Sequence, residues 1–177
     1  MALAEAILVC LTERSMSGYD LAKNFDASIG FFWRASHQQI YRELGRLREK
    51  GFVISEEVSQ KGKPNRIIHT ITPTGQKALR AWSKKPVKHP SIKDDMLVKF
   101  YALDHMDLDA LKEQLTMRIE QHQTKLVKYF RIKERYYDGK ELDLMQKGKL
   151  IALEMGIEQE TQRIRWLEEG MTKIGKL

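Results

Sequence analysis

The feature that most constrains the fold is a series of apolar residues near the C-terminus, spaced alternately three and four positions apart. Its members are Leu150, Leu153, Ile157, Ile164, Leu167, Met171 and Ile174, with Glu160 at the one polar position of the series. This spacing predicts a long helix with a heptad seam. Glu160 either sets the register of the seam or points outward at a helix crossing, and the pattern favours neither alternative.

A second long helix is predicted ahead of this seam. Asp107 suits its N-cap, and the pattern continues to about Tyr137, where Asp138 and Gly139 end it. Two helices of this length leave part of their apolar surface uncovered if they fold alone in one small module. We therefore predict that the seam residues form the interface of a homodimer.

The first half of the chain begins with three predicted helices. An amphipathic stripe of Leu3, Ile7, Cys10 and Leu11 marks the first helix. A short second helix is expected over residues 19–26. The third begins at Ser36, which forms a capping box with Gln39, and ends at Gly51.

A β hairpin and a fourth helix are predicted to follow. Residues 52–58 and 66–72 are rich in Val and Ile and flank a turn-rich segment, residues 59–65. Thr72 and Pro73 suit the start of the fourth helix, whose expected inner face is Ala78, Leu79 and Trp82. Three helices, a hairpin and a helix are the order of a winged helix-turn-helix, so the fold class is mainly α with a small β component (α+β).

The third helix separates an apolar face from a polar one. Ile40, Leu44 and Leu47 point to one side, while the other carries Gln38, Arg42, Gly45, Arg46 and Glu49, flanked by His37 and Gln39. Arg and Gln have the paired donors and acceptors that match guanine and adenine edges in the major groove. On its own this face also suits an ordinary solvated helix.

The hairpin tip and the distribution of charge favour double-stranded DNA as the partner. Lys61, Lys63 and Arg66 lie in or beside the tip, where Gly62 and Pro64 set the turns, and suit contacts with phosphates or the minor groove. Residues 1–89 hold 15 basic and 8 acidic residues, whereas residues 90–177 hold 16 of each. The excess charge of +7 therefore lies entirely in the half with the winged helix.

A linker with two prolines, residues 83–90, divides the chain. We predict a DNA-binding domain over residues 1–85 and a helical dimerisation domain over residues 91–177. The longest apolar run, residues 6–11, is too short to span a membrane, and the N-terminus lacks the basic residues of a secretory signal. These observations predict a cytoplasmic protein with no membrane partner.

Enzymatic and metal-dependent functions find little support in the sequence. It contains no nucleophile elbow, P-loop or zinc-protease motif, so an enzyme is not expected. One cysteine, Cys10, excludes a thiolate cluster, and no two of the five histidines have the spacing of a helical ligand pair. Asp104, His105 and Asp107 are the best remaining metal candidates and a poor set. We expect Cys10 to be a buried small hydrophobe and expect no cofactor.

Several short motifs resemble the PadR family of bacterial transcriptional regulators. They are Gly18-Tyr19-Asp20-Leu21-Ala22, Trp33-Arg34, Ser36-His37-Gln38-Gln39-Ile40-Tyr41 with Leu44, Arg46 and Leu47, Gly62-Lys63-Pro64, and Thr72-Pro73-Thr74-Gly75. The second half, from Lys93 to Leu167, is similar to the C-terminal domain of the virulence-activator-like branch. The resemblance covers nearly the whole chain. His69 and Gly45 depart from the family pattern, at positions where a tyrosine and a larger side chain are usual.

The resemblance implies that the third helix is the recognition helix and that Tyr41 lies near the DNA backbone. The candidate DNA-binding residues are Ser36, His37, Gln38, Gln39, Tyr41, Arg42, Arg46, Lys61, Lys63 and Arg66. A homodimer would place two recognition helices about 34–36 Å apart, or a multiple of that distance, and would bind an inverted repeat. A winged-helix protein-interaction module and a metalloregulator remain the alternatives.

The resemblance also implies a possible role for a small-molecule effector, because some PadR-like regulators respond to phenolic acids. Phe31, Phe32, Trp33, Trp82 and Trp166 are the candidate pocket residues, although aromatic residues at module junctions also serve as core.

Overall fold

Four helices surround a small sheet in the described part of the N-terminal half of the computed structural model. The structure describes residues 3–27, 35–60, 63–87 and 93–175. The chain divides into two compact units, Met1–Pro90 and Ser91–Leu177. The helices of the first unit are α1 (Leu3–Glu13), α2 (Gly18–Ala27), α3 (His37–Glu49) and α4 (Pro73–Ser83). The three helices expected before the hairpin and the one expected after it are confirmed.

Side-chain caps fix where α3 and α4 begin. The Ser36 hydroxyl accepts from the Gln39 amide, and the Gln39 side chain accepts from the Ser36 amide, which confirms the predicted capping box. Thr72 caps α4, with Pro73 at the first helical position. Gly51 follows α3 with a φ of 68°, the left-handed conformation that ends many helices.

The sheet is antiparallel and has the strand order β1-β3-β2. β1 (Met16–Ser17) is too short to be seen in the sequence, and β2 (Val53–Gln60) and β3 (Lys63–Ile71) form the hairpin. Both hairpin strands run closer to the tip than expected, so the turn-rich segment is shorter than residues 59–65. The ladder pairs Val53 with Ile71 and Ser55 with His69.

The core of the N-terminal unit joins α1, α2, α3 and the hairpin. Its fully buried side chains include Ile7, Leu21, Phe25, Ile40, Leu47 and Val53. Cys10 is buried among them, as predicted. Gly75 is buried at the start of α4, where an added Cβ would overlap the Phe52 carbonyl oxygen.

The expectation that Trp82 faces inward was wrong. Leu79 packs against the core, but the Trp82 side chain, in the last turn of α4, is exposed. Only the first part of α4 packs against the core. Trp82 follows the same helical spacing as Leu79, but it lies beyond the end of that contact.

Within its described residues, the C-terminal unit contains helices and no strands. It contains α5 (Asp95–Phe100), a single 3-10 turn (Leu103–His105), α6 (Leu108–Tyr136) and α7 (Leu144–Ile174). Asp94, Asp107 and Asp143 cap the three α helices, and Gly139 adopts a φ of 69° between α6 and α7. Both long helices and the Asp107 cap are confirmed.

The heptad seam of α7 packs inside this unit, largely against α6. Leu153, Ile157, Leu167 and Ile174 are buried, while Leu150, Ile164 and Met171 are half-buried. Leu111 and Leu115 of α6 share a cluster with Leu167 and Ile174. Within the described residues, no helix combines the length and apolarity that crossing a bilayer requires.

Candidate nucleic-acid interface

Most of the outer face of α3 is exposed. Its apolar stripe of Ile40, Leu44 and Leu47 is buried in the core, which turns Gln38, Arg42 and Arg46 toward solvent. Arg46 forms an ion pair with Glu43 one turn earlier, at 3.1 Å between Nη1 and Oε2. Among the described residues, no salt bridge involves Arg42. The Arg42 guanidinium and the Gln38 amide are therefore available to bind a ligand.

The first turn of α3 combines exposure with capping. His37 and Gln38 are exposed at the helix N-terminus. Ser36 and Gln39 are exposed too, but both side chains already form the capping box. An anion approaching this end would meet the positive end of the helix dipole.

Tyr41 lies on a different side of α3, above the start of α2. Its ring covers Gly18, where an added Cβ would overlap the ring carbons, so a larger residue there would displace the ring. The Tyr41 side chain is nevertheless half exposed. The close approach of α2 thus positions an aromatic ring at the edge of the α3 surface.

The hairpin residues have different surroundings. Lys61 lies outside the described residues, and Lys63 is the first residue of β3. Arg66 is drawn inward: its guanidinium forms an ion pair with Asp20 and donates to the Ser17 hydroxyl at 3.1 Å. Asp20 also accepts from the Ser17 hydroxyl at 2.8 Å, so Arg66 ties the hairpin to the start of α2.

A cleft of about 440 Å³ opens between α3, the start of α2 and the hairpin. Tyr41, Gly45 and Arg48 line one side, and Ile67 and His69 line the other. The Ser55 hydroxyl and His69 Nδ1 share a hydrogen bond of 2.9 Å. Burial, and then the Arg48 guanidinium nearby, lower the pKa of His69 and favour its neutral form.

The sequence analysis did not include Arg48 among the candidate binding residues. The outer face was defined by the positions opposite Ile40, Leu44 and Leu47, and Arg48 lies between that face and the core. The spacing of Tyr41, Gly45 and Arg48, at i, i+4 and i+7, was the available signal, because such residues form one stripe on a helix.

The aromatic residues predicted for an effector pocket lie in different parts of the chain. Phe31, Phe32 and Trp33 lie outside the described residues. Trp82 is exposed on α4 of the first unit. Trp166 of the second unit contacts Phe100 edge to face, with ring centroids 5.5 Å apart.

Metal-binding geometry is also not found in the described part of the chain. Over residues 3–27, 35–60, 63–87 and 93–175, no group of three or more His, Cys, Asp or Glu side chains is placed to hold an ion. His105 and Asp104, from the best predicted set, form only an exposed pair at 3.6 Å.

Comparison with known proteins gives these surfaces a family context. Residues 7–81 match the model of the "Transcriptional regulator PadR-like family", and residues 92–174 match that of "Virulence activator alpha C-term". A "Probable transcriptional regulator Rv1176c" from Mycobacterium tuberculosis is 35% identical over 180 residues, covering 96% of this chain and 95% of the relative. The chain belongs to the PadR-like family of transcriptional regulators. The predicted resemblance is confirmed.

Solved structures of this family share the fold. Bacillus subtilis PadR in complex with operator DNA superposes with a TM-score of 0.84 at 27% identity, over 98% of this chain and 99% of that one. The Vibrio cholerae virulence activator AphA gives a TM-score of 0.79 at 30% identity, with 98% of each chain covered. The chain is therefore a DNA-binding transcriptional regulator with a winged helix and long C-terminal helices, and the prediction that it is not an enzyme is confirmed.

Proposed function

We propose that this PadR-type regulator binds an inverted-repeat operator as a homodimer, with α3 in the major groove and the hairpin against the DNA backbone. The observation that carries the proposal is the exposed polar face of α3, whose opposite stripe is locked in the core. The similarity to a PadR that was crystallised on operator DNA supports the same orientation.

Arg42 is the residue we assign to base recognition. It is exposed in the middle of α3 and is not committed to a salt bridge among the described residues, in contrast to Arg46. A free guanidinium can donate two parallel hydrogen bonds to a guanine edge. Gln38, one turn earlier on the same face, suits an adenine edge.

The hairpin is assigned to phosphate contacts. Lys61 and Lys63 supply positive charge at its tip, where it would meet the backbone or the minor groove. Arg66 would act indirectly, because its ion pair with Asp20 holds the base of the hairpin against α2. The wing and the helices then approach DNA as one body.

The dimer is assigned to the C-terminal unit. α7 carries a second apolar stripe, formed by Leu144, Ile151, Met155 and Trp166, about half a turn around the helix from its buried seam. All four side chains are exposed. The buried seam would support the interface by fixing α7 on α6, and the exposed stripe would meet the second copy.

A small-molecule effector is the final part of the proposal. One Bacillus subtilis PadR structure is a complex with p-coumaric acid, and this chain carries exposed Trp82 and Trp166 among its candidate pocket residues. A ligand would act by binding more tightly to the geometry that releases DNA than to the one that holds it.

The test is binding to a fluorescent duplex that carries the upstream region of the chain's own gene, at several salt concentrations. Arg42→Ala should lose about 1–3 kcal/mol of preference for this duplex over random DNA. Arg80→Ala removes an exposed charge from α4 and serves as the matched control. Binding should weaken as salt rises, because phosphate contacts release counterions.

The same titration separates the alternatives. A protein-interaction module would show no sequence preference and little dependence on salt. A metalloregulator would bind only after a divalent metal is added. Adding p-coumaric acid to the complex tests the effector: unchanged DNA affinity and unchanged tryptophan fluorescence would count against this ligand.

A further inference from the structure

One stripe of α3 faces the cleft and borders the face assigned to base recognition, with Gly45 at the boundary between them. Tyr41, Gly45 and Arg48 follow one another along this stripe at intervals of four and three residues. Gly45 has no side chain, and an added Cβ there would meet nothing within 4 Å. The cleft is therefore open at its centre, between an aromatic ring and a guanidinium.

Contacts within the N-terminal unit support the walls of this opening. The Tyr41 ring packs over Gly18, and an ion pair between Arg66 and Asp20 links the hairpin to α2. Asn65, Ile67 and His69 alternate along β3 and face the same side. Asn65 is held by Glu57, to which its side-chain amide donates at 2.8 Å.

The charge of the cleft is positive by about one unit. Arg66 is balanced by Asp20, and the lowered pKa of His69 favours the neutral imidazole. Arg48 is exposed, and no acidic partner is found for it among the described residues. A single guanidinium beside tyrosine rings suits one phosphate and its neighbouring sugar.

We propose that this cleft binds one phosphate of the DNA backbone in each half-site, with Arg48 as its cation and Gly45 leaving room for the sugar. Tyr19 and Tyr41 flank the cleft and present aromatic surfaces at its edge. The inference rests on the proposed function and adds a contact that positions α3 but reads no base. Arg48 thus sets affinity, whereas Arg42 sets sequence preference.

Filling the cleft is the direct test. Gly45→Leu places a side chain where the structure has open space, so we expect the fold to be retained and the helix to be strengthened. DNA affinity should nevertheless fall about tenfold, on specific and random duplexes alike. Gly45→Ala adds only a methyl group and should have a smaller effect, and thermal unfolding of both variants verifies that they fold.

The charge is tested separately. Arg48→Gln should weaken binding to both duplexes about tenfold and reduce the slope of log affinity against log salt by about 0.9. Arg80→Gln, with the same loss of charge on α4, should leave the affinity unchanged. DNA carrying one neutral methylphosphonate should bind more weakly at one backbone position per half-site, and Arg48→Gln should be insensitive to that position.

The outcomes are distinguishable. If the parent protein binds DNA but Gly45→Leu and Arg48→Gln match Arg80→Gln, the cleft inference is wrong while the proposed function stands. If Arg48 matters but no single backbone position does, the cleft does not hold a defined phosphate, and the inference is overturned. A parent protein that binds no DNA at low salt would overturn both.

Discussion

Histidine 69 shows how a single side chain couples the hairpin to pH. It pairs with Ser55 across the β2–β3 ladder and lies near Arg48 of α3. Burial of the ring, followed by the Arg48 charge, lowers its pKa below the ordinary value of about 6.5. The unfolded chain therefore binds a proton more readily than the folded chain as the pH falls through this range.

We predict that the N-terminal unit loses stability as the pH falls from 7.5 to 5.5. The effect should stay below about 1 kcal/mol, because the imidazole is only partly buried. His69→Gln removes this linkage and should flatten the dependence of thermal unfolding on pH. His105→Gln alters an exposed histidine of the C-terminal unit and is the control. Equal pH dependence in the parent and His69→Gln would contradict the prediction.

For single residues, the sequence predicted which polar side chains are exposed, but it did not predict the residues with which they form ion pairs. The third helix was divided correctly into inner and outer faces, because helical periodicity is a local property. The sequence predicts a DNA contact for Arg66 but gives no sign of its ion pair with Asp20, which lies 46 positions away in the chain. Such a contact depends on how α2 meets the sheet, and no local pattern encodes that.

Among the elements, the pair formed by α6 and α7 is notable for a polar layer within its apolar packing. Glu160 is 6% exposed and points at α6, where it accepts from His122 and lies 3.6 Å from the Lys125 ammonium. Tyr129, seven residues after His122 on α6, is buried and packs over Gly156 of α7. Burial, with the Glu160 charge adding to it, raises the pKa of Tyr129. The position of Glu160 supports the alternative that it sets register.

We predict that Glu160→Leu destabilises the C-terminal unit by about 3 kcal/mol, because it leaves His122 without its buried partner. The double variant His122→Leu with Glu160→Leu should recover part of this loss, since it removes both polar groups at once. Thermal and denaturant unfolding measure the difference. Glu168→Leu, at an exposed position of α7, is the matched control. Strictly additive effects would show that the pair is not coupled.

Helix boundaries were predicted more accurately from the sequence than side-chain contacts. The caps at Ser36, Thr72 and Asp107 were read directly from short motifs, because capping involves residues only a few positions apart. β1 was missed because two residues carry no periodicity. Its strand character arises only from pairing with His69 and Ile68 of β3.

For the whole molecule, the heptad pattern predicted a seam but could not say what fills it. A second helix of the same chain and a helix of another chain present the same kind of apolar surface. The structure places Leu153 and Leu167 within the C-terminal unit itself. The exposed stripe of Leu144, Ile151, Met155 and Trp166 lacked a regular heptad spacing, because polar residues interrupt it, and it was therefore overlooked.

We predict that Ile151→Asp yields monomers that remain helical and bind the operator much more weakly. Ile151 is 69% exposed in the single chain, so a carboxylate there should leave the fold intact and weaken the proposed contact with another copy. Thr161→Asp adds the same charge to another exposed side of α7 and should leave the dimer intact. Analytical ultracentrifugation measures the mass. Dimers of Ile151→Asp would remove this stripe from the interface.

Leu167→Asp makes a useful contrast in the same measurement. Leu167 is 2% exposed and lies among the core residues of the C-terminal unit. A buried carboxylate there has no partner, so circular dichroism should show loss of folded structure along with any change in mass. The pair of variants separates a role in folding from a role in assembly.

The burial of Cys10 also makes the chain well suited to distance measurements. Cys10 is the single cysteine of the sequence, and it is enclosed by the helices of the N-terminal core. A thiol reagent applied to the folded protein would meet little reactive background. One cysteine introduced at an exposed site such as Lys77 could then carry a spin label. In the proposed homodimer, the distance between the two labels would report the separation of the DNA-binding units as ligands are added.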